Sequence, residues 1–478
     1  MFCPRSTVDH HPLRLAPLAA ALTVALGLTQ LGGCSAIPDQ PPPRLAVPEQ
    51  FKEGVAFTRV HPEAVAVPDA WWTLFQDPVL NDLQARLPQG NATLAGSAAA
   101  VRVAQAAVAT ARVGLFPALG VSGGAVRTAS GGGDPTTTFT AQGAFASWEI
   151  DLWGRVSAGV AAADARYLAS RHTLAATQLS LQASLAQTYF SLRSAEALGL
   201  LLAQTVAAYQ RSLDLTQNRY QGGVASAADV AQAQTQLRSA QAQQVEARLQ
   251  RAQLEHAIAT LLGLAPADLN LAALTSGYDR VLPQPPQAPL QLPSALLTRR
   301  PDIAAAAAQV VAANAQIGAA EAAFFPALTL SVSAGLRSSE WRELLRLSNR
   351  FWSVGPTLLW AAFDGGARRA ATESARASYD QAVASWRQTA LTALQEVEDN
   401  LVAASALQEE EALQRHSQGS ARRALEIAEN QYKAGTVSYL NVVTAQTTLL
   451  GVERSLLDVR NRRLAAVNQL LKNLAGRW

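Results

Sequence analysis

Apolar residues occupy every second place along Leu328-Thr329-Leu330-Ser331-Val332-Ser333-Ala334-Gly335-Leu336, with Thr329, Ser331 and Ser333 between them. A period of two predicts a strand with one apolar side. The stretch from Phe351 to Phe363 repeats the pattern, placing Trp352, Val354, Leu358 and Trp360 on one face and Ser353, Gly355 and Thr357 on the other. Two weaker copies lie earlier, at 119–128 and 138–151, the second with Ala144, Ala146, Trp148 and Ile150 on one side. Polar loops join each pair: one contains Ser130 to Asp134, and the longer, charged one spans Ser338 to Asn349.

Between the strand pairs the period changes. From Arg155 to Arg219 the chain has no proline and is dominated by Ala, Gln, Leu and Arg, which predicts one helix of about 100 Å at 1.5 Å per residue. No compact domain is that wide, so the helix belongs to a rod or tube. The interruption Tyr220-Gln221-Gly222-Gly223 ends it, with glycine supplying a left-handed cap, and a second helix is predicted over 225–263. Asp77-Pro78 reads as a capping carboxylate before a proline at the first helical position, opening a helix over 78–113 that Pro88 and Gly90 bend or split.

The second half replays the first. Phe325-Pro326-Ala327-Leu328 answers Phe116-Pro117-Ala118-Leu119, an offset of 326 − 117 = 209. Tyr432-Lys433-Ala434-Gly435 answers Tyr220 to Gly223, and Ala445-Gln446-Thr447 answers Ala233-Gln234-Thr235, both at 212. Three anchors in the same order imply duplication. The organisation expected is a leader at 1–33, an extended tether at 34–70, a first repeat at 71–282, a proline-rich linker at 283–298 and a second repeat at 299–478.

Four strands of about ten residues suit either a small soluble sheet or part of a membrane barrel, with Trp148, Trp153, Trp352 and Trp360 as candidate interfacial aromatics. Past the leader, no continuous apolar helix of spanning length is expected. If the strands enter lipid, every edge must be paired, because an unsatisfied backbone group there costs several kcal/mol. Four strands cannot close, so such a barrel would be shared among chains.

Composition narrows the function. Charged residues make up 16% of the chain and hydrophobic ones 49%, with a single Met, which fits packed Ala-rich helices rather than disorder or an ordinary compact core. A net charge of +3 without a Lys/Arg block gives no footprint for nucleic acid. The six histidines are scattered, and no acid, base and nucleophile are grouped as catalysis requires. Carboxylates cluster at Glu409 to Glu411 and at Glu396 to Asp399, and both runs read as solvated helix faces.

Arg5 and Arg14 precede the apolar run 15–31, which leads into Gly32, Gly33 and Cys34. That is a secretory leader ending in the pattern of a bacterial lipobox, so a covalent lipid on Cys34 is expected, anchoring the chain without spanning the bilayer. Cys3 lies in the removed segment, leaving no disulfide partner. By resemblance to lipoprotein sorting, Ser35 favours the outer membrane.

The order of Trp71-Trp72, Phe75, Asp77-Pro78 and Leu80, then Arg299-Arg300-Pro301-Asp302-Ile303, around the duplicated FPAL and Tyr-x-x-Gly units resembles TolC-like outer-membrane efflux proteins of the NodT-like lipoprotein branch. The resemblance implies an α+β membrane protein: a homotrimer whose four strands per chain build one twelve-stranded transmembrane β-barrel, continued by a long α-helical periplasmic barrel. It implies a passive exit duct for small molecules or drugs, coupled to a periplasmic membrane-fusion adaptor and an RND-type inner-membrane pump, with no enzymatic activity and no cofactor or metal beyond the lipid. It places gating or adaptor contact at the helix turns, at Tyr220, Gly223, Asp229, Tyr432, Gly435, Asn441 and Thr444. Asp229 matches a family acidic position, whereas Asn441 and Thr444 stand where some relatives carry acids, which implies weaker cation binding or a hydrophobic gate; Asp229 could equally serve to cap its helix. An exit duct for type I protein secretion shares this architecture. A periplasmic coiled-coil adaptor or scaffold lipoprotein would carry one helical hairpin rather than two.

Overall fold

The computed structural model of the chain describes residues 45–48, 51–52, 67–129, 131, 134–273, 277, 282–286 and 299–475. Cys34, the leader and most of the tether and linker lie outside them. Contacts divide the chain into two compact units, one containing 106–164 and 311–380, the other 42–105, 165–310 and 381–478.

Local signals set the helices. Asp77 accepts hydrogen bonds from the Val79 and Leu80 N–H groups at 2.9 and 3.0 Å and starts α1, Pro78–Gly90. Pro88 sits in its last turn, and Asn91 then begins α2, Ala92–Val113, by accepting from the Leu94 N–H at 2.9 Å. After the first strand pair come α3, Arg155–Gln221, and α4, Ala227–Leu261. The second half supplies α5, Pro301–Ala322, then a strand pair, α6, Ala367–Lys433, and α7, Tyr439–Leu474. Both α3 and α6 have 67 residues.

The strands are β1, Ala118–Thr128, β2, Thr136–Ile150, β3, Ala327–Ser338, and β4, Arg350–Leu359. Their boundaries show where the repeat offset changes. β1 and β3 begin 327 − 118 = 209 apart and the strand pairs end 359 − 150 = 209 apart, whereas α3 and α6 begin 367 − 155 = 212 apart. The three added residues therefore lie between β4 and α6. β4 stops at Leu359, short of the expected Phe363, because its last partner is Ala327. The next residue on the partner strand is Pro326, which has no N–H to continue the ladder.

α2 and α5 differ from expectation. Each has 22 residues, and by length and composition alone both are long and apolar enough to cross a membrane. That apolarity comes from alanine rather than from large side chains, and Arg102 and Arg112 interrupt α2.

In the second unit, the Trp71 to Phe75 turn fills a core with Leu80, Leu83, Leu87, Leu185, Phe190 and Leu470. Phe75 meets Phe190 at 4.7 Å between ring centroids. Polar residues tie this core together. Tyr189 donates to Asp77 at 2.7 Å, Arg193 donates to the Tyr189 oxygen at 3.0 Å, and Glu196 takes both Arg193 at 2.6 Å and Arg251 at 3.1 Å. The Arg300-Pro301-Asp302 motif works similarly: Arg300 pairs with Asp302 at 2.7 Å and Glu396 at 2.9 Å and donates to Asn473 at 3.1 Å. Such groups hold position because removing one partner strands a buried charge.

The acidic runs are therefore not simply solvated. Glu411 is buried, and Arg415, Arg460 and Arg463 all donate to it. Burial pushes its carboxyl up, but the hydrogen bonds from Arg415 and Arg463 outweigh that and hold it below the ordinary carboxylate range.

Candidate functional site

The four strands form one antiparallel sheet in the order β1-β2-β3-β4, so β1 and β4 are its edges. Register aligns the apolar positions into rows. Val332 lies opposite Ala146 and Val354, Leu330 opposite Trp148 and Pro356, and Leu328 opposite Ile150 and Leu358. The other face is mostly small and polar along its middle, where Ser331 meets Ser147 and Gly355, and Thr329 meets Glu149 and Thr357, with Phe145, Arg337 and Phe351 toward the loop end. Bulges near Val121 and Gly143 shift the count without breaking the two faces, since Gly123, Ala141 and Leu336 share an apolar row beyond them. Among the described residues the apolar face has no cover: Leu119, Val121, Trp352 and Leu358 are all exposed.

The four tryptophans fall at both ends of the strands. Trp352 lies near the loop end of β4 and is exposed, whereas Trp148 lies within β2 toward the end where the helices attach. Trp153 and Trp360 lie just past β2 and β4, and their indole N–H groups donate to the backbone carbonyls of Pro326 at 2.8 Å and Phe324 at 3.2 Å. Trp153 also stacks on Phe325 at 4.7 Å.

The other site lies at the turns of the helical hairpins. Gly223 adopts φ 72° and Gly435 φ 78°. At the first turn the Gly223 N–H donates to the Tyr220 carbonyl at 2.9 Å and the Val224 N–H to the Arg219 carbonyl at 2.8 Å. At the second, Gly435 donates to Tyr432 and Thr436 to Gln431, both at 3.0 Å. These paired bonds use carbonyls left free at a helix end, and the left-handed residue between them favours glycine.

The return helices start differently. Ser226 and Asp229 form a reciprocal capping box, with the Asp229 N–H donating to Ser226 Oγ at 3.1 Å and the Ser226 N–H donating to Asp229 Oδ2 at 2.9 Å. The Asp229 carboxylate is thus engaged in starting α4. In the second copy Ser438 makes no side-chain cap bond, and Asn441 stands exposed at the position equivalent to Asp229. Thr444 donates to the Leu440 carbonyl at 2.9 Å, as a helical threonine does.

The two turns meet through a mixture of shared and unshared positions, with Arg219, Tyr209 and Tyr439 differing from their counterparts in the other copy. Tyr209, Leu213, Leu237, Tyr432, Tyr439 and Val442 make a small buried core. Tyr432 and Tyr439 lie 5.3 Å apart, and Ser212 Oγ is 3.1 Å from the Tyr439 hydroxyl. Arg219 crosses between the turns, with its guanidinium 4.8 Å from the Tyr432 ring centre and a hydrogen bond to the Lys433 carbonyl at 3.1 Å. Tyr220, the counterpart of Tyr432, is instead exposed. Burial pushes the Tyr209 phenol up to about 12 and raises that of Tyr439, so both are neutral near pH 7.

The sequence pattern does not single out Arg219, Tyr209, Tyr439 or Ser212. Their signal was a mismatch between repeats: Arg219 corresponds to Gln431 (219 + 212) and Tyr439 to Ala227 (227 + 212). The turn surface also exposes Tyr220, Val224 and Leu440. No group of three or more metal-ligating side chains occurs among the described residues.

The chain matches the profile of the outer membrane efflux proteins over residues 84–264 and 292–476. It is 32% identical over 466 residues to the probable efflux pump outer membrane protein TtgC of Pseudomonas putida, covering 96% of this chain and 95% of that protein. It is likewise 32% identical over 467 residues to the outer membrane protein OprJ of Pseudomonas aeruginosa, with coverage of 96% and 95%. The solved structure of the outer-membrane channel OprN superposes with a TM-score of 0.85 at 27% identity, covering 93% of this chain and all (100%) of that one.

Proposed function

The chain belongs to the outer membrane efflux protein family, and from that premise we propose that it is the passive exit duct of a tripartite pump, working as a homotrimer. The observation that carries the reading is the two-faced sheet with two free edges. Three copies joined edge to edge make twelve strands, enough to close a barrel with the apolar rows toward lipid and the Ser, Thr and Gly rows toward a lumen. A single four-strand sheet leaves two rows of unpaired backbone groups, which lipid does not tolerate.

The hairpin turns are the proposed gate and the contact for a periplasmic membrane-fusion adaptor, with an RND-type inner-membrane pump supplying the energy. Apolar Tyr220, Val224 and Leu440 at an otherwise polar tip favour a protein partner there. With Asp229 engaged in its cap and Asn441 and Thr444 neutral, closure rests on packing and on Arg219 rather than on a ring of carboxylates. Lipid on Cys34 would add an anchor beside the barrel.

Two experiments test this reading. Purified protein in planar bilayers is expected to conduct as a trimer, and a non-conducting monomer that stays silent when the tip is loosened would sink the duct. Metabolic palmitate labelling is expected for the wild type and lost in Cys34→Ala; retention of the label in that variant would remove the anchor from the proposal.

A further inference from the structure

The two hairpin loops of the sheet are unequal in a way the duplication does not require. From Ala118 to Ile150 and from Ala327 to Leu359 the repeats run the same length, yet β2 has 15 residues and β4 has 10. The equivalent of Thr136 is Leu345 (136 + 209), so residues 345–349 have left the strand and joined the loop. That loop is built rather than loose. Short 3-10 turns at Trp341–Glu343 and Leu347–Asn349 shape it, Asn349 Nδ2 donates to the Glu343 carbonyl at 2.7 Å, and Leu344 is buried. It nevertheless presents Trp341, Leu345 and Leu347 to solvent at 69%, 80% and 81% exposure. Exposed apolar area of that kind is unfavourable in water.

The loop leans to one face. Trp341 packs edge-on against Phe139 at 5.6 Å, and Phe139 lies opposite Ala125 and Ser338, two places along from the apolar row of Gly123, Ala141 and Leu336. Arg350 lies opposite Leu336 in that row, and Arg127 stands further out on the same face, opposite Thr137. Arg127, Arg342 and Arg350 are exposed and make no ion pair among the described residues, whereas Arg346 is paired with Glu343 at 2.6 Å. Arg337 belongs to the opposite face, with its guanidinium over the Phe351 ring at 4.7 Å.

We propose that this loop and rim bind a phosphate-bearing lipid of the outer leaflet, with Arg342 and Arg350 on the phosphates and Trp341, Leu345 and Leu347 against the acyl chains. The inference rests on the duct reading, in which the strands cross the outer membrane. The four helices that connect directly to the sheet, α2, α3, α5 and α6, do so at the ends marked by Ala118, Ile150, Ala327 and Leu359, so with helices in the periplasm these loops face outward. Charge complementarity and continuity with the apolar rows select an anionic amphiphile over a neutral lipid.

The test uses the purified full-length trimer in detergent, titrated with lipid A and with its dephosphorylated form. The wild type is expected to prefer the phosphorylated form. Arg342→Gln and Arg350→Gln should each weaken lipid A binding about fivefold, and together about thirtyfold, at roughly one cationic contact each. Leu345→Gln with Leu347→Gln should weaken both lipid forms, while Arg337→Gln and Arg346→Gln leave binding unchanged. Equal affinity for the two forms, unaltered binding in the Arg342/Arg350 pair, or an Arg337→Gln loss as large as that pair's would overturn the proposal. So would a fall in trimer dissociation temperature in lipid-free detergent, which would assign the loop to a second copy of the chain. Conductance of each preparation separates the readings: lost lipid binding in a conducting channel speaks to this site, and lost conductance in the wild type speaks to the duct.

Discussion

Val332→Arg is expected to abolish assembly of the proposed trimer in the outer membrane. Val332 is the middle of five apolar positions on β3, from Leu328 to Leu336, and lies between Ala146 and Val354 on the neighbouring strands. An arginine on the lipid face near the bilayer midplane costs about 2 to 4 kcal/mol. A trimer carries the change three times, so the total of roughly 6 to 12 kcal/mol rivals the whole stability margin of an ordinary fold. Ser331→Arg is the control, because Ser331 shares the opposite face with Ser147 and Gly355. It is expected to assemble and to alter conductance, since it adds three charges to the lumen. Heat-modifiable mobility of the membrane fraction reads the first effect and planar bilayers the second. If Val332→Arg assembled and Ser331→Arg did not, the two faces would have to be exchanged.

Much of this architecture is written in short-range pattern. The alternation in Leu328 to Leu336 requires only a period of two, and Gly223 and Gly435 end 67-residue helices because each takes a positive φ that a Cβ disfavours. Asp77 caps α1 through groups two and three residues away. What stayed hidden depends on contacts between distant segments. Glu411 sits in an acidic run whose local chemistry suggests solvent, but Arg460 and Arg463 reach it from α7, 49 and 52 residues further on. Trp360 continues the alternation of β4 beyond Leu359, yet the ladder has already ended at Ala327, after Pro326, more than thirty residues back in the chain. The tip core was hidden for a related reason. Its members lie in both repeats, and the alignment that reveals the duplication stresses what the copies share, while Arg219 and Tyr439 matter where the copies differ.

That difference makes Arg219→Ala the variant expected to open the duct. Arg219 supplies both a charged hydrogen bond to the Lys433 carbonyl and a cation held over the Tyr432 ring. A hydrogen bond from a charged donor contributes about 1.5 to 3 kcal/mol where it is shielded, and a cation over an aromatic ring about 0.5 to 2. Arg219 is only half-buried, so a loss of about 1 to 2 kcal/mol per chain is the reasonable expectation, or about 3 to 6 for three tips that open together. A shift of about 5.5 kcal/mol carries a two-state equilibrium from 1:99 to 99:1, so open probability should rise by about two orders of magnitude. Arg219→Lys retains charge without the planar fork and should fall between. Tyr432 separates ring from hydroxyl: its oxygen has no partner among the described residues, so Tyr432→Phe should stay closed while Tyr432→Ala opens. The first turn keeps its cap in every variant, because Gly223 and the Val224 bond to the Arg219 carbonyl use backbone atoms alone. A change in conductance therefore reports the bridge between turns rather than collapse of one of them. Unchanged conductance in Arg219→Ala would remove the bridge from the gate, and opening by Tyr432→Phe would move the closing interaction from the ring to a hydroxyl contact made only in the trimer.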